Sequence, residues 1–185
     1  MFGKFLARRS EKKNAAFPPV TGYIRTQNES RVKVLSYGIK HMDYNGCEVI
    51  AAYHARLTLG DPIPLAKVAY EICSLPFALW FLGIFGSYPS AAPRYLKKLG
   101  YAVRRCSHRE LHRKKPLPDG ENVYVYTYWN PRFYGIHTVE LHGTDRGFTV
   151  CNYVPLWGKY FPTATELLAH IPSPLPIRLT AVKKA

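Results

Sequence analysis

Apolar or small positions recur at helical spacing from Cys47, with Ile50, Ala51, His54 and Leu57 on the same stripe. Asn45 stands where an N-cap belongs, Glu48 falls at N3 as in a capping box, and Gly60 followed by Pro62 gives a stop. Residues 137–152 instead alternate apolar and polar on both sides of a glycine-rich turn, which predicts a β-hairpin. With Gly143 to Arg146 as a four-residue loop, His142 pairs with Gly147 and His137 stands directly opposite Asn152. Val139, Leu141, Phe148 and Val150 then share the face of the His137–Asn152 pair. Thr138, Glu140, His142, Thr149 and Cys151 take the other face, so Cys151 points away from His137.

The remaining pattern supplies the frame. Arg31 to Tyr37 alternates like a short strand, and a helix is expected from about Pro89 to Leu99 with Gly100 as its C′ residue. A strand begins at Tyr101, Pro118-Asp119-Gly120 forms a turn, and Val123 to Trp129 is a strand with Tyr124, Tyr126 and Tyr128 on one face. Trp157 to Phe161 and a short helix from Ala164 to His170 cover the outside of the sheet, and Pro172 to Pro176 is extended. Residues 1–20 read as a basic flexible arm ending at Pro18-Pro19, and residues 21–185 as a single domain. The fold class is α+β: a helical part carrying Cys47 packs on an antiparallel sheet carrying His137 and Asn152, with a groove between them.

Charge and composition narrow the partners. A chain of 185 residues with 47% hydrophobic content can build a core, and its net charge of +14 gathers at Lys4 to Lys13 and Arg104 to Lys115. Such runs are solvated surface or a site for an anionic partner. No helix-turn-helix, zinc-finger or RNP motif specifies nucleic acid, and the alternating tyrosines are ordinary strand residues. The basic N-terminus is not a secretory signal, and a cytoplasmic protein is expected. The apolar stretch Ile72 to Gly86 is about fifteen residues with a proline inside, too short for a transmembrane span, and reads as a buried or groove-lining segment. If exposed, Phe77, Trp80, Phe81 and Phe85 would suit a peptide or acyl partner. Cysteines 47, 73, 106 and 151 form no Cys-x-x-Cys pair, and His108 and His112 lie in a strongly positive run, so neither metal nor cofactor is expected.

Cys47, His137 and Asn152 stand in the order of a nucleophile, its base and the base's orienter. In the first turn of a helix, unpaired N–H groups and the dipole favour a thiolate; the plainer alternative makes Cys47 a small buried hydrophobe. The run Asn45-Gly46-Cys47 and its helix, then Gly86-Ser87-Tyr88-Pro89 through Leu99-Gly100-Tyr101, then a strand, His137, a hairpin and Asn152, resembles the papain-like cysteine peptidases. The nearest branch is the bacterial one that contains the double-glycine leader peptidases, and the resemblance covers about residues 38–170. It implies a papain-like fold and a cysteine-dependent hydrolase, a peptidase acting on a peptide or peptide-like acyl group through a thioester acyl-enzyme. An acyltransferase would use the same thiol, and a catalytically inactive binding or accessory module would keep the fold alone. Cys47-Glu48-Val49 stands in place of the family's Cys-Gly-Pro, and His41 occupies the place of its oxyanion glutamine. The oxyanion donors are then the Cys47 N–H with His41 or Asn45, since the single glutamine, Gln27, lies far upstream. Trp129, Phe133 and Tyr134 border the substrate groove.

Overall fold

A computed structural model describes residues 2–107, 122–131, 135–173 and 175–185. Its helical half contains α1 (Phe2–Asn14), α2 (Ser30–Lys33), α3 (Met42–Asn45), α4 (Cys47–Thr58), α5 (Leu65–Cys73) and α6 (Ala91–Lys98), with a small hairpin of β1 (Ser36–Tyr37) and β2 (Lys40–His41). The other half is a five-stranded antiparallel sheet of β3 (Ala102–Arg105), β4 (Val123–Asn130), β5 (Gly135–Thr144), β6 (Gly147–Cys151) and β7 (Pro176–Lys183), in the order β3-β7-β4-β5-β6. Helix α7 (Ala164–Ala169) sits between β6 and β7 in the chain. The architecture is therefore α+β, as the periodicities predict, with α4 packed on β5.

Both faces of the sheet are covered, which explains why its strands are buried on alternate and intervening residues alike. Val123, Val125 and Val182 join the helical core built on Val49, Ile50, Leu65, Ile72 and Leu96. Tyr124, Tyr126, Tyr128, Val139, Leu141 and Val150 form a second core with Leu156, Ala164 and Leu167 from the segment after β6. The tyrosines thus serve sheet packing, Tyr126 stacking on Tyr128 with ring centroids 5.1 Å apart. Arg56 of α4 ties the helices together, donating to the Tyr95 hydroxyl at 2.6 Å and pairing with Asp61 at 2.6 Å.

Several local expectations need correcting. Residues 2–14 of the expected flexible arm form α1, which packs on α5 and buries Leu6 and Ala7. Arg31 to Tyr37 is a turn of helix followed by the short β1, because Asn14 holds Ser36 through both side-chain atoms (2.7 and 3.0 Å) and bends the chain back. Strand β7, which lies between β3 and β4, was hidden behind the proline-rich stretch that precedes it. The β5–β6 hairpin closes through a two-residue loop, Asp145-Arg146, with Thr144 opposite Gly147. The Thr144 hydroxyl donates to the Gly147 carbonyl at 2.8 Å and accepts the Arg146 N–H at 3.2 Å, which satisfies the tight turn. This moves the register by two residues, so the expected pairing of His137 with Asn152 is not formed and β6 ends with Cys151 opposite Glu140; the even shift leaves the side chains within the paired strands on their expected faces. The expected turn at Pro118 to Gly120 and the His108/His112 pair lie outside the described residues.

Candidate functional site

Cys47 opens α4, as its position on the hydrophobic stripe predicts, but its cap differs. Gly46 is the N-cap residue, and a Cβ there would collide with Met42, so the close approach of α3 to α4 requires glycine. Asn45 belongs to α3; its side-chain amide donates to the Tyr37 carbonyl at 3.0 Å and the Gly83 carbonyl at 2.9 Å. Both amide protons are thereby committed, leaving no side-chain donor for an oxyanion. Glu48 is not a capping residue either. It is buried, accepts from the Thr138 hydroxyl at 2.7 Å, the Thr127 hydroxyl at 2.9 Å and the Ala92 N–H at 3.0 Å, and thereby joins α4 to β4, β5 and α6. Burial raises its carboxyl above the ordinary range, against the pull of these donors.

The thiol of Cys47 is half-buried and meets the backbone and hydroxyl of Thr138. Its pKa is pushed up to about 11 by burial first and the Glu48 charge second, which the Thr138 donors offset only in part. His137 belongs to the other face of β5. Its ring meets Tyr128 edge-on at 5.8 Å, and Nε2 donates to the main-chain carbonyl of Asn152 at 3.0 Å. Burial lowers its pKa, with the Asn152 carbonyl opposing the shift. Thr138, Glu140 and His142 are the β5 residues that face α4, so the alternation of the strand separates His137 from the face that carries Cys47.

Asn152 and Gln27 meet at the same end of the hairpin. Asn152 is buried with φ +62°, and its side chain accepts the Gln27 N–H at 2.9 Å while its amide reaches the Thr138 carbonyl at 3.5 Å. The Gln27 side-chain amide donates to the Asp43 carbonyl, and its own Oε1 is buried without a partner. Sequence distance had set Gln27 aside; its loop crosses the domain to lie over α3 and Asn152, and no spacing in the chain signals that. His41 is exposed at the end of β2. Trp129 lies in β4 opposite Ile136, while Phe133 and Tyr134 lie outside the described residues.

No protein-family model matches this chain, and no curated protein does.

A second feature lies beside α3, in the apolar segment whose pattern reads as buried or groove-lining. Residues 77–88 form a largely exposed apolar loop with a tight turn at Trp80–Gly83 whose two central residues, Phe81 and Leu82, are not helical. Phe77, Phe81 and Phe85 are 85%, 66% and 63% exposed, with Leu82 and Ile84 also exposed. Phe77, Phe81 and Leu82 hold left-handed backbone conformations (φ 51°, 45° and 58°) that side chains other than glycine disfavour. The loop is nonetheless tied down. Trp80 N–H donates to Gly86 O at 2.9 Å, Tyr88 N–H to Ala78 O at 3.0 Å, Asn45 to Gly83 O, and Arg94 to Pro76 O at 2.7 Å. Trp80 stacks on Tyr88 at 5.6 Å, and the Tyr37 and Ser87 hydroxyls bond at 2.7 Å. The sequence has no charged residue between Glu71 and Arg94, whereas exposed Arg94 stands at the loop's start and exposed Lys40 lies in the β1–β2 hairpin, whose Gly38 adjoins Leu82.

Proposed function

We propose that this protein is a catalytically inactive binding module, helix-on-sheet and papain-like in layout, that docks through the loop 77–88 onto the acyl region of an anionic lipid surface. The observation that carries this reading is the set of exposed Phe77, Phe81, Leu82, Ile84 and Phe85, with Phe77, Phe81 and Leu82 on backbone held in conformations that cost energy. Side chains of this size gain about 2 kcal/mol each when fully removed from water. Lys40, Arg94 and the chain's net charge of +14 supply attraction to negative headgroups. Among the described residues no helix is long and apolar enough to cross a membrane, so the contact is peripheral.

The experiment is co-sedimentation of the full chain with phosphatidylcholine vesicles, with and without phosphatidylglycerol. Binding should require the anionic lipid, fall as salt is raised, and drop at least tenfold in the Phe81→Asp/Phe85→Asp variant. Equal binding by that variant, or none by the parent chain, overturns the reading.

A second reading, the thiol hydrolase or its acyltransferase variant, is supported by Cys47 at the start of α4 and by the contacts of Asn152 with His137 and Gln27, and it requires His137 to turn toward the face that carries Cys47. His137 Nε2 is the donor nitrogen, so Nδ1 would have to serve as the base. Alkylation of Cys47 by iodoacetamide, located by peptide mass spectrometry across pH, decides between them. Labelling that is slow at neutral pH and indifferent to His137→Ala supports the binding module; rapid labelling lost in His137→Ala supports the hydrolase.

A further inference from the structure

On the α4 face of the β5–β6 hairpin, a nitrogen of His54, a carboxylate oxygen of Glu140 and the Cys151 sulfur lie within 4.8 Å of one another, all in buried side chains. They come from α4, β5 and β6, elements whose positions the core fixes. The cluster's hydrogen bonding is incomplete. The Ile24 N–H donates to His54 Nε2 at 2.9 Å, which places the ring proton on Nδ1, and Nδ1 is buried with no partner. Glu140 is oriented from both sides, His142 Nδ1 standing 3.0 Å from Oε2 and the Thr58 hydroxyl donating to Oε1 at 3.1 Å. Cys151 spends its thiol proton on the same carboxylate.

We propose that His54, Glu140 and Cys151 form a binding site for a divalent transition-metal ion of the zinc class, with His142 as the outer partner that orients the Glu140 carboxylate. A mixed sulfur, nitrogen and oxygen donor set suits zinc, whose tetrahedral bonds place neighbouring ligand atoms about 3.3–3.8 Å apart. The observed spread of up to 4.8 Å closes to that range with side-chain movements of about an ångström. Thiolate and carboxylate together neutralise the cation, so no net charge is buried. The His142–Glu140 hydrogen bond orients the proposed carboxylate ligand from outside the set of metal ligands, as ligating carboxylates are commonly held.

Loading has a definite proton balance. The metal–sulfur bond forms as the S–H bond of Cys151 breaks, and that proton leaves to solvent. The metal–nitrogen bond to His54 ends the hydrogen bond from Ile24 whichever ring nitrogen binds: at Nδ1 the ring proton moves to Nε2, and at Nε2 the metal takes the lone pair that accepts the Ile24 N–H. The segment carrying Ile24 also bears Tyr23, whose ring lies 5.3 Å from His142 and 5.6 Å from His54, so this segment packs on the cluster's histidines and shifts as the Ile24 hydrogen bond is lost.

The test is titration of the metal-stripped full chain with Zn²⁺ by calorimetry and with Co²⁺ by absorption. One ion per chain is expected, with a thiolate-to-cobalt charge-transfer band, proton release, and faster hydrogen exchange at the Ile24 amide. Cys151→Ser should lose the band and weaken Zn²⁺ binding at least tenfold, while Cys73→Ala and His108→Ala/His112→Ala bind as the parent does. Should Cys151→Ser fail to fold, X-ray absorption of the zinc-loaded parent counts sulfur ligands, one being expected. No uptake, uptake unchanged by Cys151→Ser, binding lost with His108 and His112, or a zinc shell without sulfur overturns the site.

Discussion

Glu48 shows how a buried charge can be a joint. Two threonine hydroxyls and one backbone N–H converge on it; removing the side chain strands the Ala92 N–H and leaves the two hydroxyls only each other, 3.0 Å apart. Glu48→Ala should therefore cost about 2–3 kcal/mol in urea unfolding. Glu48→Gln should cost under about 1 kcal/mol, because threonine hydroxyls can turn from donors into acceptors while the amide oxygen still takes the Ala92 N–H. The pH dependence has a fixed sign. Its folded pKa is raised, so this group's contribution is full below its unfolded value of about 4.3 and declines as pH rises through the folded value. Unfolding measured across that range should show the decline in the parent and its loss in Glu48→Gln. His137 has the opposite behaviour: its pKa is lowered, so its stabilisation is present above the unfolded value of about 6.5 and is lost as pH falls through the folded one. Its ring-proton NMR titration should have a midpoint below 6.5. The alternation of β5 made the face of His137 legible in the sequence. Which face α4 would cover was not legible, because apolar residues line one side and Thr138, Glu140 and His142 the other, and both are buried.

Elements here are set as much by their neighbours as by their own residues. The β5–β6 hairpin was recognisable from its period, yet its loop length depended on the Thr144 side chain satisfying a two-residue turn. Core faces survived that error because strand periodicity is two and the shift was even. The loop 77–88 is the converse case. Its composition reads as buried or groove-lining, and what holds it exposed is a set of hydrogen bonds from side chains distant in sequence, chiefly Asn45 and Arg94, to main-chain carbonyls in and beside it. Gly38 belongs to this support. It has φ +64°, and a Cβ there would stand 2.8 Å from the Leu82 carbonyl oxygen. Gly38→Ala should cost more than about 1 kcal/mol in unfolding and also weaken vesicle binding, since the loop must move to admit the methyl group.

At the scale of the molecule, α1 tests whether the basic N-terminus is part of the fold. Leu6 is buried against the helical core, so Leu6→Ala should lower unfolding free energy by about 2–4 kcal/mol, where a detached arm would give no change. The helical half and the sheet half are joined chiefly by α4, whose Glu48 and His54 reach β4, β5, β6 or their approaches, and neither role is marked by spacing along the chain. Periodicity by itself determined the α+β class, helix α4, the β4 strand and the two faces of the β5–β6 hairpin, because burial on one side imposes a period of 3.6 or 2 on any chain that must hide apolar surface. Only the tertiary structure decided what those faces meet. It put Cys47 beside Thr138 while His137 turned to Tyr128, brought Gln27 across to Asn152, inserted β7 between β3 and β4, and gathered His54, Glu140 and Cys151. Those contacts join residues far apart in the chain, and local pattern carries no information about which distant segment completes a layer.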